Sequence, residues 1–240
     1  MALRTWLSPL AAIAAALVLA APAAAESASL YVNASDDRPA GVDATRLYQL
    51  ADSSAKRWKL SVAGNAGYAP GTRDGTQTLG FSRSTNPKAL GVTSVWTRTR
   101  YIVKTSRRCT RVNGKRRCRT IRRYVRNGID VVEKDVQLNP YVKWEQGPAY
   151  PAVEEYDLES TILHELGHFA NPLKDSHVFG CENSPMIDSI APGEFWRDSD
   201  DWLRYGCNGM PGSRSRTGLP AGPALPMLVE EHRLPPLVER

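Results

Sequence analysis

The stretch that decides the fold is LESTILHELGHFANPLKDSH, residues 158–177, which holds three of the four histidines in the chain of 240 residues. His164 and His168 are spaced i, i+4, which places both imidazoles on one face of a helix, one turn apart. Asp157 precedes the stretch as an N-cap residue. Apolar residues cover the other side of the helix: Ile162, Leu166 and Phe169. The stretch therefore predicts a buried, capped helix that presents two histidines side by side.

Glu165 follows the first histidine and completes the pattern H-E-x-x-H. Zinc-dependent peptide hydrolysis uses this pattern, because two imidazoles can bind the metal while the carboxylate reaches a water beside it. Zinc lowers the pKa of its bound water toward ~7, and the carboxylate then accepts the proton. The alternative is an ordinary buried helix that happens to carry histidines, since a pattern this short also occurs by chance.

The residues after the helix resemble the signature of the metzincin metallopeptidases, and within them of the matrixin-like group: H-E-x-x-H-x-x-G-x-x-H, followed by a methionine turn. HELGHFAN matches up to the glycine position, where Asn171 stands. Asparagine is the non-glycine residue that best adopts a positive φ, so we expect Asn171 to leave the helix in that conformation. Lys174 falls at the third histidine position, and His177 follows three residues later. The resemblance implies His177 as the third zinc ligand, with Asp175 as the alternative.

The resemblance extends over roughly residues 45–207 and is strongest from residue 135 onward. It implies an α/β (α+β) fold, a zincin/metzincin-like catalytic domain in which a twisted mixed sheet lies above the active-site helix. It also implies one catalytic Zn²⁺, and it allows Ca²⁺, for which no residues can be named. Met186, in SPMIDSI, stands where the family places the methionine beneath the metal. A glutamate ligand downstream, Glu182 or Glu194, is a further alternative that lacks the helical context of thermolysin-like enzymes.

The N-terminal residues 1–25 have the layout of a signal peptide, with Arg4, an apolar run and small residues before a cleavage site after Ala25. The unbroken apolar run, residues 10–21, has 12 residues, fewer than the roughly 20 that span a bilayer. This favours cleavage over a retained membrane anchor, and no later segment looks transmembrane. The sequence therefore predicts a secreted, extracellular protein with a catalytic domain over residues 26–207.

Upstream of the histidine helix, residues 42–58 predict an amphipathic helix with Asp43 as its N-cap. Residues 78–83, 91–104 and 127–139 are rich in β-branched and aromatic residues and predict strands. Residues 208–240 are rich in Pro, Gly and Arg, and we expect them to lack fixed structure.

Four cysteines in an exported chain predict two disulfides. Asn113-Gly114 is typical of a type I′ hairpin turn. Counting outward from this turn places Cys109 opposite Cys118 in a non-hydrogen-bonded pair, where the two strands approach closely enough for a disulfide. The remaining two cysteines then pair by elimination: Cys181 with Cys207.

Residues 98–126, here called the basic hairpin, carry thirteen Lys and Arg and no acidic residue. Without these thirteen, eighteen of the thirty-one basic residues remain against twenty-five acidic ones, so the net charge of +6 comes from this segment. The charges could bind a polyanion, or they could only protect an exposed edge from pairing. The candidate polyanion-binding residues are Arg107, Arg108, Arg111, Lys115, Arg116, Arg117 and Arg119.

Two functional hypotheses follow. The first is an exported zinc endopeptidase that hydrolyses protein or peptide substrates, with His164, His168 and His177 as zinc ligands and Glu165 as general base. The second is a catalytically inactive zincin-like protein that binds a polyanion through the basic hairpin.

Overall fold

The computed structural model of the protein describes residues 29–171, 186, 189–195, 215–216 and 223–239. The chain contains both α-helices and β-strands, and its main sheet has parallel and antiparallel strand pairs. Its elements in chain order are β1 (Leu30–Asn33), α1 (Ala44–Arg57), β2 (Val62–Asn65), β3 (Gln77–Phe81), β4 (Gly91–Val112), β5 (Lys115–Leu138), β6 (Trp144–Glu145), β7 (Tyr156–Asp157), α2 (Leu158–Ala170), β8 (Ser189–Ile190), β9 (Glu194–Phe195), β10 (Ser215–Arg216) and β11 (Leu225–Glu239).

The seven strands of the main sheet lie in the order β2-β1-β3-β5-β4-β11-β8. The pairs β1–β2, β1–β3, β3–β5 and β4–β11 are parallel, whereas β4–β5 and β8–β11 are antiparallel. This arrangement confirms a mixed α/β fold with a mixed sheet. Both helices contribute to one buried core with the strands β1, β3 and β5.

Local sequence signals set the two helices. Asp43 accepts a hydrogen bond from the backbone N–H of Arg46 at 2.8 Å, and Asp157 accepts one from that of Ser160 at 2.8 Å, so both predicted N-caps are confirmed. The indole Nε1 of Trp58, at the C-terminus of α1, donates to the carbonyl of Leu163 in α2 at 2.7 Å. This hydrogen bond fixes the position of the histidine helix relative to the end of α1.

The antiparallel pair β4–β5 contains the basic hairpin and confirms its predicted register. Val112 lies opposite Lys115 and Cys109 opposite Cys118, and the two cysteines form a disulfide. Asn113 and Gly114 have φ angles of 51° and 74°, as a type I′ turn requires. The predicted strands 91–104 and 127–139 largely coincide with the inner parts of β4 and β5, and the same two strands continue into the hairpin past an irregularity of register between Arg100 and Tyr101.

The expectation that residues 208–240 lack fixed structure is wrong for Leu225–Glu239, which forms β11 beside β4. Met227 is buried at the start of β11, and the ring of His232 stacks on Trp96 at 4.9 Å between centroids. The prolines that suggested disorder fall where a strand tolerates them, since residues 235–236 occupy an irregularity between Leu234 and Leu237. Composition alone gave the wrong prediction because it ignores this position-specific tolerance.

The leader and the cysteines Cys181 and Cys207 lie outside the described residues. In the part of the chain that the structure describes, no helix is long and apolar enough to cross a membrane.

Two buried carboxylates on β5 hold the loop that leads into β3. Glu133 accepts backbone hydrogen bonds from Asp74 and Gly75 at 2.9 and 3.0 Å. Asp135 accepts them from Gly71 at 2.7 Å and from Thr78 at 2.8 Å. Burial raises the pKa of Asp135 to about 7, although these two backbone hydrogen bonds lower it.

This pKa predicts a pH-dependent stability. Between about pH 4 and pH 7 the folded chain holds a proton on Asp135 that the unfolded chain releases, so stability falls as the pH rises through this window. We expect the free energy of unfolding of the wild type, relative to that of Asp135→Asn, to be larger at pH 5 than at pH 8, because it falls by up to about 1.4 kcal/mol for each pH unit between pH 5 and pH 7. Urea unfolding of both proteins at the two pH values measures this difference. If the stability of the wild type relative to Asp135→Asn instead increased with pH, Asp135 would be ionised in the folded chain and stabilised by its two backbone hydrogen bonds.

Candidate metal centre

The two histidines of α2 converge inside the protein. Both His164 and His168 are buried, at 0 and 1 % exposure, and their Nε2 atoms lie 2.8 Å apart. Their rings meet edge to face with centroids 4.6 Å apart. The i, i+4 spacing thus brings two imidazole nitrogens to one point, as the sequence predicted.

Glu165, between the histidines in sequence, faces β4. The hydroxyl of Thr93 donates to its carboxylate Oε2 at 2.5 Å and lies 3.1 Å from its backbone carbonyl. Gly91 leaves room for the same side chain, because a Cβ atom at this position would lie only 2.7 Å from Oε1 of Glu165. Within the described residues, this Oε1 has no hydrogen-bond partner although it is buried. A buried carboxylate oxygen in this state is costly unless it serves a ligand or a proton transfer.

Burial governs the charge of Glu165. The side chain is 0 % exposed, and burial raises the pKa of Glu165 to about 8, while the hydrogen bond from Thr93 lowers it. A cation held near this carboxylate would lower the pKa again by favouring the ionised form. Without such a cation, burial therefore favours the protonated, uncharged form of Glu165 at neutral pH.

Met186 packs against the histidine helix. It is 1 % exposed, and a Cβ atom added to Gly167 would overlap its Sδ and lie 2.8 Å from Cζ2 of Trp58. Glycine at position 167 therefore lets Met186 and Trp58 approach the helix backbone between the two histidines. The structure places the predicted methionine directly against the helix that carries the candidate ligands.

The C-terminal end of α2 is held from β5. The ammonium of Lys134 donates to the carbonyl of Phe169 at 2.7 Å and lies 4.0 Å from the centre of its ring. A cation at this end of a helix also interacts favourably with the helix dipole. Asn171 ends the helix with a φ of −127°, so the expected positive φ is wrong. The Asn171 N–H donates to the carbonyl of Gly167, and its negative φ requires no left-handed backbone.

The other predicted ligands are not brought to this point by the described part of the chain. His177 and its alternatives Asp175 and Glu182 lie outside the described residues. Glu194 is described, and its carboxylate accepts a hydrogen bond from the N–H of Ala191 at 3.0 Å. Among the described residues, no group of three or more His, Cys, Asp or Glu is arranged to hold a metal ion.

The two described histidines nevertheless fit zinc in type and direction. Imidazole nitrogen is a preferred zinc ligand, and two such ligands of a tetrahedral ion lie about 3.3 Å apart, given Zn–N distances of ~2.0–2.1 Å. The observed separation of 2.8 Å requires only a small widening. Glu165 follows His164 in sequence, and its buried, unpartnered oxygen agrees with a site that also handles a proton.

Sequence reasoning missed the residues that surround this pair. Thr93 and Gly91 fall within a correctly predicted strand, and their spacing of two places them on one face of it. Only the packing of α2 on β4 shows that this face of the strand lies against the helix. Lys134 offered no signal, because its partner is a backbone carbonyl 35 residues away.

Comparison with known protein families, with curated proteins and with solved structures finds no match to this chain.

Proposed function

We propose that this chain is an exported zinc-dependent endopeptidase. The observation that carries the proposal is the pair of buried imidazole Nε2 atoms, 2.8 Å apart on α2, on the same helix as a buried carboxylate with an unpartnered oxygen. An ordinary structural helix gains nothing from burying three ionisable side chains within five residues. A metal-assisted hydrolytic site requires this set.

In this proposal His164 and His168 hold zinc through Nε2, and His177 supplies the third ligand. Zinc, when bound, supplies Lewis acidity toward a substrate carbonyl and lowers the pKa of water. Glu165 accepts the proton of the attacking water and then passes it to the leaving amine. Thr93 holds the carboxylate in place through Oε2, which leaves Oε1 for the proton.

The substrate class is an extended peptide, and β11 affects where it can bind. Peptides that add to a sheet edge gain main-chain hydrogen bonds. Next to Glu165, however, β4 is already paired with β11, since Met227 lies opposite Gly91 and Val229 opposite Thr93. A peptide in that position therefore competes with β11 for the same backbone groups of β4.

Zinc stoichiometry of the mature protein tests the proposal. We expect one zinc per chain in the wild type. In His164→Ala and His168→Ala we expect a zinc affinity at least about 100-fold weaker, because losing even a residue that only hydrogen-bonds to a metal ligand lowers metal affinity 10–100-fold. His232→Ala is the matched control: this fourth histidine lies in β11 and stacks on Trp96 of β4, so its loss should leave zinc binding unchanged.

His177→Ala identifies the third ligand in the same assay. Loss of zinc assigns His177, whereas full retention moves the third ligand to Asp175 or Glu182. Absence of zinc from the wild type, even after zinc is added back, would contradict the proposal.

A further inference from the structure

The outer part of the basic hairpin stands away from the rest of the sheet. β11 pairs with β4 only as far as Ile102, and β3 pairs with β5 only between Val136 and Leu138. Within the described structure, residues 103–124 therefore form a free two-stranded ribbon of ten residue pairs, about 30 Å long. Such a ribbon adds nothing to the hydrophobic core, so its composition reflects its surface.

That surface is cationic on both faces. Strand alternation and the observed register assign the exposed cations of residues 104–126 to two sets. The first face carries Lys104, Arg108, Lys115, Arg117, Arg119 and Arg123. The second face carries Arg107, Arg111, Arg116 and Arg122, and it continues to Arg126 just beyond the inner end of the ribbon.

The cations also oppose each other directly across the two strands. Three such pairs occur: Lys104 with Arg123, Arg108 with Arg119, and Arg111 with Arg116. Like charges in this position destabilise a sheet. Among the described residues, no acidic side chain pairs with any of these six cations, whereas Arg100, nearer the core, pairs with Asp130 at 3.4 Å. The Cys109–Cys118 disulfide keeps the repelling strands together.

Edge protection does not account for this arrangement. A few charges of either sign block edge pairing, whereas stacking like charges on both faces costs stability and leaves a strong positive field. A bound polyanion removes that cost by neutralising both faces. Nine of the eleven cations are arginines, whose planar guanidinium binds phosphate oxygens in pairs.

We propose that residues 104–126 of the basic hairpin bind a flexible, linear phosphate polymer that contacts both faces of the ribbon. A membrane surface or a folded acidic protein would engage one face at a time. Tyr124 is the one aromatic residue of this segment and is exposed, so stacking on bases contributes little, and the phosphates are what is recognised. This proposal does not depend on zinc or on peptide hydrolysis.

Binding of inorganic polyphosphate to the full mature protein tests it. We expect binding at 50 mM salt that weakens at least tenfold at 200 mM salt, as counterion release requires. Two variants with equal charge change compare the faces: Arg108→Gln/Arg117→Gln/Arg119→Gln on the first, and Arg107→Gln/Arg111→Gln/Arg116→Gln on the second. Each should weaken binding tenfold or more. The control neutralises three exposed cations elsewhere, Lys59, Arg73 and Lys88, and should leave binding unchanged within about twofold.

Unchanged Tm values in the two hairpin variants show that the fold is retained, since their six sites are exposed. Three results would overturn the proposal: no binding of polyphosphate at 50 mM salt, equal loss of binding in the control variant, or loss in one face variant alone. Tighter binding to anionic vesicles or to duplex DNA of matched charge would also overturn it, in favour of a flat or a grooved partner.

Discussion

Replacing Glu165 with glutamine is expected to lower kcat/KM for peptide hydrolysis by a factor of about 10²–10⁴ while one zinc per chain is retained. The amide has nearly the same shape as the carboxyl group but cannot accept a proton from water, and general base catalysis contributes about this factor. Glu165 is fully buried, so a neutral isostere is not expected to unfold the protein. Hydrolysis of a peptide library and zinc content, measured on the same sample, give both quantities.

Glu159→Gln is the control, because it makes the same change on the same helix. Glu159 lies in the first turn of α2 and pairs with Arg57 at 3.6 Å, away from the histidine end. We expect its hydrolysis to stay within about twofold of wild type, since a partly exposed ion pair of this kind is worth little. Wild-type hydrolysis by Glu165→Gln would refute the role of Glu165, whatever the zinc content.

Replacing Gly91 with alanine is expected to lower kcat/KM by about 100-fold with little loss of stability. The added methyl group would lie 2.7–2.9 Å from Oε1, Cγ and Cδ of Glu165, so that side chain must move. Because a flexible side chain moves more easily than backbone, the cost in free energy of unfolding should stay near 1 kcal/mol. A displacement of about 1 Å at a catalytic group can cost 10²-fold in rate.

Gly67→Ala is the matched control for this substitution. A Cβ atom there has open space within 4 Å, so both rate and stability should resemble those of the wild type. Zinc content should be unchanged in both variants, since the atoms nearest an added Cβ at position 91 belong to Glu165 and a Cβ at position 67 meets nothing within 4 Å. Wild-type rates in Gly91→Ala would mean that hydrolysis does not depend on the position of Glu165, and would count against its proposed role.

Much of the candidate site was predictable because its signals are local. The spacing of His164 and His168 predicts that their rings share one helix face, and Asp157 predicts where that helix begins. Asn113-Gly114 predicts the turn, and counting from the turn predicts the Cys109–Cys118 disulfide, which the structure confirms. Each of these features depends on residues fewer than about ten positions apart.

The sequence by itself therefore determined the histidine pair, the two helix caps, the hairpin register and the charge of the hairpin. Tertiary structure alone decided that Thr93 and Gly91 surround Glu165, that Met186 lies against Gly167, and that Leu225–Glu239 pairs with β4. The physical reason is the distance along the chain between the interacting residues. Local geometry follows from backbone sterics and from hydrogen bonds within a few residues, whereas contacts across 72 or 134 residues depend on how all the buried surfaces pack together.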